Sequence, residues 1–266
     1  MKKIALVLAM ILALTACFVG CTTKEPATDT DAPAASDLAY ITEKGKLVVG
    51  MTEYAPMNFK DENGEWTGFD TEFAQAVGKK LGVEVEFSVI DWNNKWSALN
   101  SKKIDVVWNG MTLSEEAKAN ANCTNAYVLN AQVVVTKADI AEQYSTIDNL
   151  GELSFAVEAG STGKDVAAEN NYNYKEYKAQ SDAMTAVKTG KADACIIDIT
   201  MAKAMTGEGT NFADLAMATY LNEEEYGIAC RKDSDLTAKI NELMAELKAD
   251  GTLAALATKY SVTLAN

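Results

Sequence analysis

From Lys46 the chain switches between two hydrophobic periods in a fixed succession, and the same succession restarts at Ser154. Leu47-Val48-Val49-Gly50 is a short apolar run with the character of a buried strand. Phe69, Phe73, Val77 and Leu81 then recur every four residues, one face of a helix, and Gly82 follows as its natural stop. Val83 to Val89 alternates with the period of a half-buried strand. Trp96–Asn100 reads as a short helix and Ile104–Trp108 as another strand. Strands separated by helices pair in parallel through helical crossovers, so this βαβαβ start predicts a mainly parallel sheet. In the second series Ser154–Val157 reads as a strand, Lys164–Glu169 and Ala183–Lys188 as helices, and Ala194–Ile197 as a strand. Two α/β units in one chain predict two sheets. Leu236–Tyr260 closes the chain with helical spacing at Ile240, Leu243, Met244 and Leu247, broken at Gly251.

The first residues decide the compartment. Lys2 and Lys3 precede the apolar run Ile4–Ala16, the layout of a secretory signal. The run is shorter than the roughly 20 apolar residues a spanning helix needs. Leu14-Thr15-Ala16-Cys17 has the form of a bacterial lipobox, and Phe18-Val19-Gly20-Cys21 is a looser one, so residues 1–21 are expected to carry a lipidated cysteine at Cys17 or Cys21. Residues 22–37 contain no large apolar side chain and hold Pro26 and Pro33. Such a segment cannot bury enough surface to offset the entropy of ordering, so it reads as a disordered tether. The chain would then sit outside the cytoplasm, lipid-anchored to the outer face of the cell membrane.

A formal charge of −14 with no histidine excludes whole classes of partner. Nucleic acid needs a basic face, so it is not expected. Without histidine an ordinary transition-metal site is not expected either, and nothing in the sequence calls for a cofactor. Beyond the signal, Cys123, Cys195 and Cys230 are odd in number and match no zinc spacing. They read as small buried thiols, and a Cys123–Cys230 disulfide has no support in the spacing.

Several segments, in order, carry a family likeness: Lys46–Gly50, Tyr54-Ala55-Pro56, Gly68-Phe69-Asp70, Asp105–Thr112, Lys191–Ala194, Tyr226–Ala229 and Leu247–Thr252. From Lys46 onward the chain resembles the periplasmic-type solute-binding proteins of polar amino-acid ABC importers. The resemblance implies an α/β clamshell of two lobes with two hinge strands, near Gln132–Val135 and Gly227–Ala229. Residues 38–132 and 227–266 would form lobe 1 and residues 133–226 lobe 2. It implies a monomer that binds an amino acid or a derivative, hands it to the transmembrane subunits of a permease, and performs no catalysis.

The candidate contacts follow from what such a ligand presents. A carboxylate suits the N–H groups of a helix start, and Gly160-Ser161-Thr162-Gly163 lies between a strand and a helix, so Ser161 and Thr162 are candidates. Thr162 matches the family's carboxylate-binding position. An ammonium wants an anion, and Asp198, at the end of its strand, matches the family's ammonium-binding aspartate; the other use of such a residue is to cap the next helix. Asn109, Gly110 and Thr112 match positions that contact the ligand backbone. Tyr54 and Trp92 match two stacking rings able to hold a flat or cationic group. Trp66, Trp96 and Trp108 read as core or rim.

Two departures from the family pattern bear on the ligand. The helix after Gly110-Met111-Thr112 usually carries an arginine that forks onto the ligand carboxylate, and here the ungapped position is Ala117. Lys118, one residue away, could answer as a point charge but not as a fork. Glu158 falls near the ligand side chain in the family's scheme. With Asp198, and Glu53 as a further candidate, it would make the cleft electronegative and favour a cationic ligand. Two other readings remain open on the sequence: a lyase or dehydratase on the same fold using Glu158 as acid or base, and a sensor for a separate signalling partner.

Overall fold

The computed structural model describes residues 36–266. The expectations for the signal, for Cys17 and Cys21 and for the tether up to residue 35 lie outside the described residues. The tether as read from composition overruns by its last two residues. Ser36 caps the helix Asp37–Lys44 by accepting from the Ala39 N–H at 2.9 Å. Asp37 is buried against Arg231, whose Nε donates to it at 2.9 Å. Polar composition gave no sign of this, because the partner lies at the other end of the chain.

Each series of strands forms a parallel set with the same internal order. In the first, Lys46–Met51 sits in the middle, with Glu84–Val89 on its outer side and Val106–Thr112 on its inner side. In the second, Ser154–Glu158 sits between Asn173–Tyr177 and Ala194–Asp198. The helices Phe69–Leu81 and Lys95–Asn100 make the crossovers of the first set, and Thr162–Glu169 and Gln180–Lys188 those of the second. Phe69, Phe73 and Val77 are fully buried, and Gly82 ends their helix in the left-handed conformation at φ 72°.

The two sets were expected as two sheets. Among the described residues they are joined in one hydrogen-bonded path by two long antiparallel strands, Val128–Lys137 and Leu215–Cys230. Residues 132–136 of the first strand pair with Ala194–Asp198 of the second set. Tyr226, Gly227, Ala229 and Cys230 of the other strand pair with the inner strand of the first set. Between these regions the two strands pair with each other, as at Asn130 with Glu224, and the short strand Thr263–Leu264 adds itself to Leu129 and Val128. The chain therefore crosses between lobes twice, and the C-terminal helices Leu236–Ala249 and Thr252–Tyr260 pack back on Phe69–Leu81. Cys123, Cys195 and Cys230 are free thiols; Cys195 and Cys230 are buried and Cys123 is half-buried. No helix among the described residues is long and apolar enough to cross a membrane.

Candidate functional site

In open α/β sheets ligands bind beyond the carboxyl ends of the strands. Here the inner strands of both sets end facing one cavity. All of the residues expected at the site line it: Tyr54, Trp92, Asn109, Gly110 and Thr112 from the first lobe, Glu158, Ser161, Thr162 and Asp198 from the second.

The first-lobe wall is held from beneath. Gly110 has φ 53°, and a Cβ there would meet Tyr54 Cε1 at 2.6 Å, so the strand turns beside the ring only because this residue is glycine. Its N–H donates to Asp70 Oδ2 at 2.6 Å, and Tyr127 donates its hydroxyl to the same oxygen at 3.0 Å. Burial pushes the Asp70 carboxyl up to about 7, against these donors. The Asn109 amide is committed within the lobe: Nδ2 donates to Thr52 O and Asn58 Oδ1, and Oδ1 accepts from the Thr52 N–H and hydroxyl. It builds the wall and has no hydrogen left to donate. The Tyr54 hydroxyl contacts Tyr226 at 2.6 Å and Thr200, so its ring is fixed. Trp92 begins a 3-10 turn capped by Asp91 and is 8% exposed.

On the second lobe the Gly160-Ser161 turn opens the helix Thr162–Glu169. Ser161 Oγ accepts from the Lys164 N–H at 3.2 Å and donates to Glu158 O at 2.8 Å, so its hydroxyl serves the cap. Gly163 leaves room for the inner strand, since a Cβ would meet Ile196 O at 2.8 Å. Asp198 stands at the start of the helix Ile199–Met205 but makes no side-chain cap. It accepts instead from Gln132 Nε2 at 2.8 Å, from Asn130 and from Gln180. Asn130 and Gln132 donate also to Glu224, so the buried Asp198 and the half-buried Glu224 share two amides. Burial, with the charge of Asp198 added, pushes Glu224 up to about 8.

Glu158 is the outlier. Its side chain is buried, 4% exposed, and Oε1 has no hydrogen-bond partner. Burial first and the Asp198 charge second push its carboxyl up to about 8, with Lys95 opposing. Four carboxyl side chains, Glu116, Glu158, Asp165 and Asp198, line the cavity together with Lys95. Glu53 does not contribute, being exposed and away from the lining. Lys118 does not stand in for an arginine: it points away, 55% exposed, and pairs with Glu115 at 3.0 Å. Ala117 does face the cavity. Trp108 is core against Phe73, whereas Trp96 lines the cavity.

Sequence reasoning passed over Gln180, Glu224 and Lys95. A glutamine at a helix start and a glutamate in a polar run carry no pattern. Lys95 sits in Asn93-Asn94-Lys95, which reads as a solvated turn until the second lobe covers it.

Residues 47–263 match the family described as bacterial extracellular solute-binding proteins, family 3. The chain is 30% identical over 227 residues to the L-cystine-binding protein TcyJ of Escherichia coli K12, covering 84% of this chain and 85% of that one. It is 31% identical over 223 residues to the arginine-binding extracellular protein ArtP of Bacillus subtilis 168, covering 82% and 86%. Among solved structures, an ancestral amino acid-binding protein described as a precursor of cyclohexadienyl dehydratase superposes with a TM-score of 0.78. That protein is 31% identical, with 85% of this chain and 99% of that chain covered. A matched family spanning nearly all the described residues and a cavity walled by both lobes lead to one assignment: the chain belongs to the bacterial extracellular solute-binding proteins, family 3.

Proposed function

We propose that this protein is the extracytoplasmic receptor of an ABC importer, which closes residues 38–132 and 227–266 against residues 133–226 around one amino acid-like ligand. The observation that carries the reading is a cavity walled by both lobes, with the buried carboxyl of Asp198 in its lining as the proposed ammonium acceptor. Relatives named for cystine and arginine support an amino acid as cargo. The buried, unpartnered Glu158 Oε1 favours a ligand with a cationic side group, because an uncompensated buried acid is costly and a cation relieves it. Trp92 would stack on that group. The protein works as a monomer, is tethered by an acylated Cys17 or Cys21, and passes its ligand to the permease subunits.

A thermal-shift screen of the full chain against amino acids, amines and small peptides tests this. A ligand at 100 times its Kd adds about 2.7 kcal/mol of apparent stability, a rise of roughly 5 °C or more for a domain of this size. No rise with any amino acid ends the reading. Glu158 also supports a second reading, an enzyme on the same fold, since a buried carboxyl that stays protonated near neutrality is a serviceable general acid. Product formation in place of reversible binding, lost in Glu158→Gln, would select it.

A further inference from the structure

The cavity holds one charged side chain that the proposed function leaves without a task. Lys95 opens the helix Lys95–Asn100 in the first lobe, lines the cavity and is 4% exposed. Its Nζ donates to Gly160 O at 2.8 Å, which lies on the second lobe, and to Trp92 O at a long 3.4 Å. An ammonium has three hydrogens to place, so at least one is unclaimed. No carboxylate among the described residues pairs with it. The Trp92 and Trp96 ring centroids lie 5.0 and 5.1 Å from it, within cation–π reach. Burial pulls Lys95 below its ordinary value, and the charges of Glu116, Glu158 and Asp165 oppose that pull without reaching it. A buried cation with no carboxylate in contact is unfavourable.

The surroundings of the ammonium suit an anion. Gly160 O, its acceptor, immediately precedes Ser161 and the start of the helix Thr162–Glu169. The first N–H groups of a helix have no acceptor within it. Ser161 Oγ serves the Lys164 N–H and leaves those of Thr162 and Gly163. A carboxylate at this place would meet an ammonium hydrogen from one lobe and helix N–H groups from the other. Ala117 and Lys118 offer nothing comparable, the first being uncharged and the second turned outward.

We propose that Lys95 receives the carboxylate of the bound amino acid across the cleft, and so makes the site select amino acids over the corresponding amines. The inference rests on the amino-acid reading of the cavity and adds to it the residue that recognises the acid end. The competing role is mechanical: Lys95 as a strut that joins the lobes through Gly160 whatever is bound.

Matched pairs separate the roles. Arginine with agmatine and histidine with histamine differ only in one carboxylate, and cystine with cystamine only in its two. Calorimetry on the full chain gives the affinity ratio within each pair for wild type, Lys95→Met and Lys95→Arg. Wild type should prefer the amino acid by at least about tenfold, the low end for a charged hydrogen bond. Lys95→Met should bring that ratio below about threefold while amine binding persists, and Lys95→Arg should keep most of it. If Lys95→Met weakens acid and amine alike, the residue is a strut and the proposal is overturned. A wild type that binds amino acids without preferring them to amines overturns it too, with the amino-acid reading intact. A wild type that binds no amino acid removes that reading and this one together. Should Lys95→Met fail to fold, Lys95→Gln is read by the same ratios.

Discussion

Glu158 concentrates the energetics of the cavity in one side chain. Its carboxyl stays protonated in the folded, ligand-free protein up to about 8, because burial and the neighbouring Asp198 disfavour the charge. In the unfolded chain the same group ionises near the ordinary glutamate value. The folded state therefore holds a proton the unfolded state has lost, and stability falls as pH rises from the ordinary glutamate value through about 8. Ligand-free protein should melt lower at pH 9 than at pH 6. Glu158→Gln should flatten that slope, closing the gap by at least about 2 °C in a domain of this size. Glu224 adds a slope of the same sign, so the variant retains part of it. A cationic amino acid should bind Glu158→Gln at least about tenfold more weakly, or about 1.4 kcal/mol, by calorimetry. Unchanged affinity for a cationic ligand, or a wild type that prefers glutamate, would remove Glu158 from the recognition of charge.

Elements differ in how plainly their residues announce them. The helix Phe69–Leu81 was legible because each signal agrees: the four-residue period, Asp70 and Glu72 at its start, Lys79 and Lys80 at its end, and Gly82 as stop. The strand Asn173–Tyr177 was not, since an edge strand with little buried surface shows no clear alternation. Most of Leu215–Cys230 escaped for a related reason: Asn222, Glu223 and Glu225 are exposed, and two register shifts break the period. The candidate contacts were legible where a strand end or a helix start fixed them, as at Asp198 and Thr162. Lys95 was not, because its burial is created by the other lobe. The helix Asp37–Lys44 depends on the same kind of remote partner. Its Asp37 meets Arg231, which also donates to Leu99 O and Ile104 O and lies 3.5 Å from Asp105. Removing Asp37 leaves the buried Arg231 guanidinium with only the longer contact to Asp105 and two carbonyl acceptors. Asp37→Ala should therefore cost about 3 kcal/mol, a Tm fall of roughly 6–12 °C in thermal melts. Ligand affinity in the folded variant should be unaltered, since Arg231 is remote from the cavity lining.

At the scale of the whole molecule the two proposed properties are anchoring and closure. Anchoring needs two acyl chains, since one binds a membrane only marginally. Mass spectrometry of the native N-terminal peptide should find a diacylated Cys17 or Cys21, and an unmodified N-terminus elsewhere would reject the lipid anchor. Closure follows from the connectivity. The lobes are joined through the paired strands Val128–Lys137 and Leu215–Cys230, and at Asn130 and Ala131, between the pairings with Thr263–Leu264 and with Ala194–Asp198, those strands bond only to each other. A two-strand link is the most easily bent part of the path. In the structure the lobes touch at the mouth: Lys95 reaches Gly160 O, and a Cβ on Gly160 would meet Asn93 Cα at 2.9 Å. This is a closed arrangement, and inside it burial disfavours the charged forms of both Lys95 and Glu158 when no ligand is bound. Opening restores water to both, so the free protein should favour an open form and a ligand that bridges the lobes should select the closed one. Small-angle scattering on the Cys17→Ala, Cys21→Ala chain should show a smaller radius of gyration at saturation with the amino acid that gives the largest thermal shift. A radius that does not change while calorimetry shows the site filled would mean that the hinge does not move on binding, and that Lys95 and Glu158 are held desolvated at a standing cost.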